Sequence, residues 1–138
     1  MASAQRLLVL AAALGASGVL LGAFGAHGLA SLLPAANLDT TLSTWRTAVL
    51  YHLLHAVAVL ALALYASAHS RAETSQFTVA ACRIAWVWAS GVLLFSGSLY
   101  VLAVGGPRWL GPVTPLGGLL MVAGWVWVGL LASKVRSQ

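Results

Sequence analysis

Charge is nearly missing from this sequence. Only 7% of its 138 residues are charged, and Asp39 and Glu73 are the only acids. A soluble domain gives about a quarter of its residues to charge, so no water-facing surface can be assembled from this chain. The shortage of acids also removes paired carboxylates, and with them the usual apparatus of general acid-base hydrolysis. A nucleophile-base pair and a glycine-rich phosphate loop beside a strand are missing too, so catalytic turnover by this chain alone is not expected. Cysteine is down to one, Cys82, which excludes an intrachain disulfide and reads as a buried, inert thiol. The formal net charge is +5, but the basic residues are scattered near the ends of apolar blocks. Nucleic-acid binding needs a clustered basic face, so that class is excluded.

What the chain has is hydrophobic length. Of its residues 61% are hydrophobic, and they fall into four blocks close to the roughly 20 residues needed to cross a hydrocarbon core. The spacing predicts spans at about 7–26, 45–66, 84–104 and 115–132. The expected fold is therefore all-α, a single transmembrane domain over 1–138 built as a bundle of four helices. The first span follows Arg6 and has no charged residue, yet its run is longer than the 7–15 residues of a signal h-region, so it reads as a retained helix. Between the first two spans, Pro34, Asn37 and Asp39 mark an interfacial stretch, partly helical, with Asp39 placed to cap the helix that enters the second span. The connection around His69, Arg71 and Glu73 is polar. The stretch from Gly105 to Pro112 is a turn-rich hairpin, and Thr114-Pro115 reads as an N-cap followed by proline at the first helical position.

Basic residues set the expected orientation. The N-terminus, the middle connection and the C-terminus hold Arg6, Arg71, Arg83, Lys134 and Arg136, while the other two connections hold Arg46 and Arg108. The excess predicts cytoplasmic termini. Arg83 is placed to snorkel toward head groups, and Arg46 reads as an interfacial anchor or a partner for Asp39 or a lipid phosphate. The six tryptophans read as interfacial belts.

Four stretches carry a family resemblance. Leu21-Gly-Ala-Phe-Gly-Ala-His-Gly-Leu29 resembles the opening motif of the domain-of-unknown-function 423 family, the group of small membrane proteins that includes transmembrane protein 256. Trp45-Arg-Thr-Ala-Val-Leu-Tyr51 with His55-Ala56, then Leu94-Phe-Ser-Gly-Ser-Leu-Tyr100, then Thr114-Pro-Leu-Gly-Gly118 are similar to its later motifs, in order along nearly the whole chain. The resemblance implies a four-span membrane fold, a bacterial cytoplasmic (inner) membrane location for a bacterial source, and little about activity. His52 departs from the pattern, which commonly has glutamine after the tyrosine, so a role that needs an imidazole there is not implied for the family.

Inside the spans the polar residues are few, and each one asks for a reason. His52 and His55 are three residues apart and share a helix face. His27 closes the first span on the same side of the membrane. With Ser96, Ser98, Tyr100 and Thr114 these form a candidate polar cluster in the outer half of the bundle. Three readings stay open: hydrogen-bonded ties between helices, a metal or haem site using imidazoles, and a small-molecule or proton pathway. Small residues offer helix-packing faces: Gly18, Gly22 and Ala26 in the first span, Gly91 and Gly97 in the third, Gly117, Gly118 and Gly124 in the fourth. The leading function class is a non-enzymatic helix-packing or interaction protein, with membrane lipids, further copies of itself or other membrane subunits as partners. A minimal transporter or channel and a metal- or haem-binding protein are the alternatives. No catalytic residue, resident metal or cofactor is expected in the leading class.

Overall fold

The computed structural model describes residues 3–32, 38–68 and 76–135. The positions of Pro34, Asn37, His69, Arg71, Glu73 and Arg136, and the side chain of Lys134, lie outside the described residues. Four α-helices are present among those described: α1 (Ser3–His27), α2 (Leu38–Ala68), α3 (Gln76–Ala103) and α4 (Val113–Val135). A 3-10 turn at Leu29–Leu32 follows α1, and another at Arg108–Leu110 precedes α4. All four helices are long and apolar enough to cross a membrane. Even α4, with 23 residues, is about 35 Å long at 1.5 Å per residue, more than the ~30 Å of hydrocarbon it has to cross. The fold is the expected membrane bundle.

The helices follow one another up and down. One end of the bundle holds the start of α1, the end of α2, the start of α3 and the end of α4; this is the terminal end. The opposite, hairpin end carries the α1–α2 and α3–α4 connections. Each helix packs on its neighbour in the chain, α1 touches α3 sparsely, and among the described residues the α4 backbone stays away from α1 and α2. The exposed face is apolar and the interior partly polar. Leu20 and Leu93 are 70% and 73% exposed, whereas Ala48 and Ser96 are fully buried. That inversion of a water-soluble protein is what lipid demands.

Glycine sets how closely two of these pairs approach. A methyl group on Gly18 would stand 2.6 Å from Leu53 Cδ2, and one on Gly22 would stand 3.3 Å from Val49 Cγ1, so both face α2. The third close position is Gly25, which meets the Trp45 indole, and Ala26 is on the rim instead. At 100° per residue a contact line drifts 80° over eight positions but only 20° over seven, so the expected line through Ala26 gives way to one through Gly25. In the second pair, a methyl on Gly117 would collide with the Phe95 backbone nitrogen and stand 2.8 Å from the Gly91 carbonyl oxygen, while one on Gly124 would enter the Trp88 indole. Gly91, Gly117 and Gly124 thus bring α3 and α4 together. Gly118 meets Phe95 only at ordinary distance, and Gly97 meets nothing within 4 Å. Gly97 is therefore not a packing residue, a correction whose cause is that its face of α3 looks into an open furrow.

Helix ends follow from local chemistry. Asp39 is in the first turn of α2, where a carboxylate opposes the positive end of the helix dipole. At the end of α3, Gly105 has φ +85°. Its N–H donates to the Leu102 carbonyl at 3.1 Å and that of Gly106 to the Val101 carbonyl at 2.9 Å. This pair of bonds is a Schellman cap, and the left-handed residue it requires is glycine.

Two apolar clusters fill the bundle. Toward the terminal end, Leu7, Ala11, Val59, Ala63, Ile84 and Trp88 join three helices, with Trp127 and Leu131 of α4 against them. Toward the hairpin end, Leu29, Trp45 and Ala103 pack with Leu42 and Tyr100. Trp45 and Trp88 are 5% and 2% exposed, so these two do not join an interfacial belt. Each indole N–H instead donates to a carbonyl of a neighbouring helix, Trp45 to Leu21 at 2.8 Å and Trp88 to Met121 at 3.2 Å. A buried tryptophan keeps its polar handle satisfied in this way.

Candidate functional site

His52 is fourteen residues after the start of α2 and sixteen before its end, close to the middle of the bundle. Its Nε2 is 3.3 Å from Ser17 Oγ on α1, and its Nδ1 is 3.3 Å from the Tyr100 hydroxyl on α3. Ser17 Oγ is also 2.8 Å from the Ala13 carbonyl, to which it can only donate its single proton. Ser17 therefore accepts from His52 Nε2–H, and His52 Nδ1 accepts from the Tyr100 O–H. One directional series thus joins three helices, Tyr100 to His52 to Ser17 to Ala13. Trp45 packs beside Tyr100, with ring centroids 4.6 Å apart.

His55 takes different partners. A step of three residues turns 60° around a helix, which is enough to move its ring from the α1 side toward α3 and α4. Its Nδ1 is 2.8 Å from the Tyr51 carbonyl and must donate there, so Nε2 accepts the Trp125 indole N–H at 3.3 Å. The two rings thus carry their protons on opposite nitrogens, and all four nitrogens are committed. Trp88 and Trp125 pack against each other at 4.7 Å and both meet the His55 ring edge-on. They fill the gap between α4 and α2.

The other expected cluster members divide. Ser98 Oγ and Thr114 Oγ1 are 2.7 Å apart and tie α3 to α4 near the hairpin end. Each hydroxyl also reaches a carbonyl of its own chain segment, Ser98 that of Phe95 at 2.9 Å and Thr114 that of Leu110 at 3.4 Å, and either can donate to the other. Ser96 is fully buried, and its hydroxyl has no hydrogen-bond partner among the described residues. His27 does not join: it is exposed at the end of α1, and no hydrogen bond or ring contact links it to His52 or His55. Gly25 faces α2, and two further residues rotate the chain by 200°, which turns His27 away. Among the described residues, no three His, Cys, Asp or Glu side chains gather where they could hold an ion.

The series through His52 also forms the floor of a furrow. Because α1 and α3 diverge on either side of α2, they leave a cleft of about 400 Å³ between them. Ser17 and Leu21 line it from α1, Leu93, Gly97 and Tyr100 from α3, and His52 from below. The α3 positions Trp86, Ser90, Leu93, Gly97 and Tyr100 recur at steps of four and three, one face of a helix. Trp86 also borders a second cleft of about 260 Å³ at the terminal end, lined by Arg6, Thr78, Cys82 and Arg83. Cys82 is half-buried there rather than sealed in the core. Sequence reasoning missed Ser17, because a serine inside an apolar span ordinarily bonds its own helix. Trp88 and Trp125 were missed because spacing along the chain does not report convergence between helices.

Known proteins resemble this chain over most of its length. A sequence-family model described as protein of unknown function (DUF423) matches residues 21–118. The UPF0382 membrane protein YwdK of Bacillus subtilis is 40% identical over 114 residues, covering 83% of this chain and 85% of that protein. A UPF0382 membrane protein of Haemophilus influenzae is 36% identical over 133 residues, 96% of this chain and 98% of the relative. Another, from the yeast Schizosaccharomyces pombe, is 34% identical over 120 residues, 83% and 91% of the two chains. No solved structure matches the chain significantly.

Proposed function

The chain belongs to this DUF423 family of membrane proteins of unknown function, and from that premise we propose that it is a non-catalytic binding protein whose site is the furrow between α1 and α3. It resides in the bacterial cytoplasmic membrane with both termini in the cytoplasm. The bacterial relatives named as membrane proteins and the basic residues at the terminal end support that placement.

One observation carries the reading. A hydrogen-bonded series of three side chains is placed under an apolar furrow, at mid-span, rather than sealed between close-packed helices. Both bonds to His52 are 3.3 Å long, beyond the usual 2.7–3.2 Å, so its partners are held loosely enough to be shared. The matching ligand is an elongated, mostly apolar molecule that enters sideways from the bilayer. A proton pathway fits less well. The series from Tyr100 ends on the Ala13 carbonyl, and that of His55 ends on an indole N–H and a carbonyl, none of which passes a proton on. Of the glycines a partner subunit would use, Gly18, Gly22 and Gly25 are already occupied by α2, and Gly91, Gly117 and Gly124 by the α3–α4 pair.

Gly97 supplies the test. A Cβ added there meets nothing within 4 Å and the position lines the furrow, so Gly97→Leu extends into the furrow and not into a helix contact. The native protein is expected to release an apolar molecule on extraction, detected by mass spectrometry, and the variant to melt at the native temperature in detergent but to lack that molecule. Equal retention by both proteins would refute the furrow as the site.

A further inference from the structure

We infer that the occupant of the furrow is an anionic phospholipid, its headgroup held by Arg6 and Arg83 at the terminal end and its chain lying along α1 and α3 toward His52. The inference rests on the furrow being a binding site and adds what binds there.

Charge is the first argument. Arg6 and Arg83 come from different helices and line the same 260 Å³ cleft, with Thr78 and Cys82 beside them. No ion pair is formed by either guanidinium among the described residues. The chain has only two acids, of which Asp39 is at the opposite end of the bundle and Glu73 is outside the described residues. Two guanidinium groups that form no ion pair among the described residues and face one cleft at the edge of the hydrocarbon suit an anion. A phosphate meets that need, since its oxygens accept the paired N–H groups of arginine.

Continuity is the second. Trp86 borders both clefts, so the dibasic mouth adjoins the apolar furrow. The two helices run in the same direction, and Arg6 and Arg83 border one cleft at the terminal end. On α1, Arg6, Leu10, Ser17 and Leu21 fall on one face, and on α3 the line Arg83, Trp86, Ser90, Leu93 keeps the same register. Length is the third. Eleven residues separate Arg6 from Ser17, about 16 Å of helix, and half of a ~30 Å hydrocarbon core is close to that figure. The furrow thus runs from a headgroup position to the middle of the bilayer, the reach of one acyl chain in one leaflet. Soluble phosphate would have no use for the apolar part.

The test uses the full-length protein, delipidated in detergent and examined by native mass spectrometry with phosphatidylglycerol or phosphatidylcholine added. The expected result is one retained phosphatidylglycerol, preferred over phosphatidylcholine. Arg6→Gln with Arg83→Gln should weaken that preference by roughly tenfold or more, while Arg46→Gln with Arg108→Gln at the opposite end should leave it unchanged. Gly97→Leu should lose the retained lipid of either kind, and millimolar inorganic phosphate should not displace it. Equal retention of both lipids by the native protein, or unaltered preference in the Arg6, Arg83 variant, would overturn the headgroup assignment. Displacement by inorganic phosphate would overturn the lipid assignment. If Gly97→Leu still loses lipid while the arginine variant keeps its preference, only this inference fails; if Gly97→Leu retains the lipid, the furrow itself fails.

Discussion

At His55 a single ring satisfies two neighbours of opposite character, a carbonyl that needs a donor and an indole N–H that needs an acceptor. Replacing it with leucine leaves the Trp125 N–H without a partner in apolar surroundings. His55→Leu is therefore expected to destabilise the bundle by about 1–3 kcal/mol, whereas His55→Gln, whose amide both donates and accepts, should cost clearly less. Unfolding in mixed micelles compares the two, and equal losses would show that packing against Trp88 and Trp125, not the hydrogen bonds, is what His55 contributes. The presence of polar groups inside the spans was legible in the sequence, because an imidazole inside an apolar block is conspicuous, though His52 is nearer mid-span than the outer half expected. The partners were not. Whether His52 meets His27 or Ser17 depends on a rotation of α1 about its own axis, and an α1 stripe that is small on several faces leaves that rotation undetermined.

The α3–α4 pair shows the same physics at the scale of elements. Gly91 and Gly117 let the two backbones approach until the carbonyl of one residue is within reach of the other's Cα, where dispersion and weak polar contacts replace the hydrophobic drive that lipid does not supply. A methyl group cannot be inserted there without moving a helix. Gly117→Ala should cost on the order of 1–3 kcal/mol, as overpacking does. Gly129→Ala, where a methyl meets nothing within 4 Å, should be neutral or slightly stabilising through helix propensity. Thermal unfolding in detergent checks the pair, and a neutral Gly117→Ala would mean that α4 is free to slide. The helices themselves were legible from four long apolar blocks, since nothing else satisfies backbone groups in lipid. Which glycines pack and which face open space was not, because spacing puts Gly91 and Gly97 about 120° apart on α3 without telling which of the two faces α4 takes.

For the molecule as a whole, the balance of arginine and lysine between its two ends predicts which way it lies in the membrane. A reporter fused after Gln138 should read cytoplasm and one inserted at Gly111 should read the outside; the reverse pattern would invert the leaflet that Arg6 and Arg83 face. The up-and-down order has a further outcome for biogenesis. Since every helix packs on the one made just before it, a nascent segment leaving the ribosome meets its mate already in the bilayer, and almost no contact waits for distant chain. Assembly is thus local and fast by the logic of low contact order. The furrow over His52 is the exception, because its walls come from the first and third helices. It is completed only when α3 arrives, so until then α1 and α2 stand as a hairpin with Ser17 lacking its histidine's other tie.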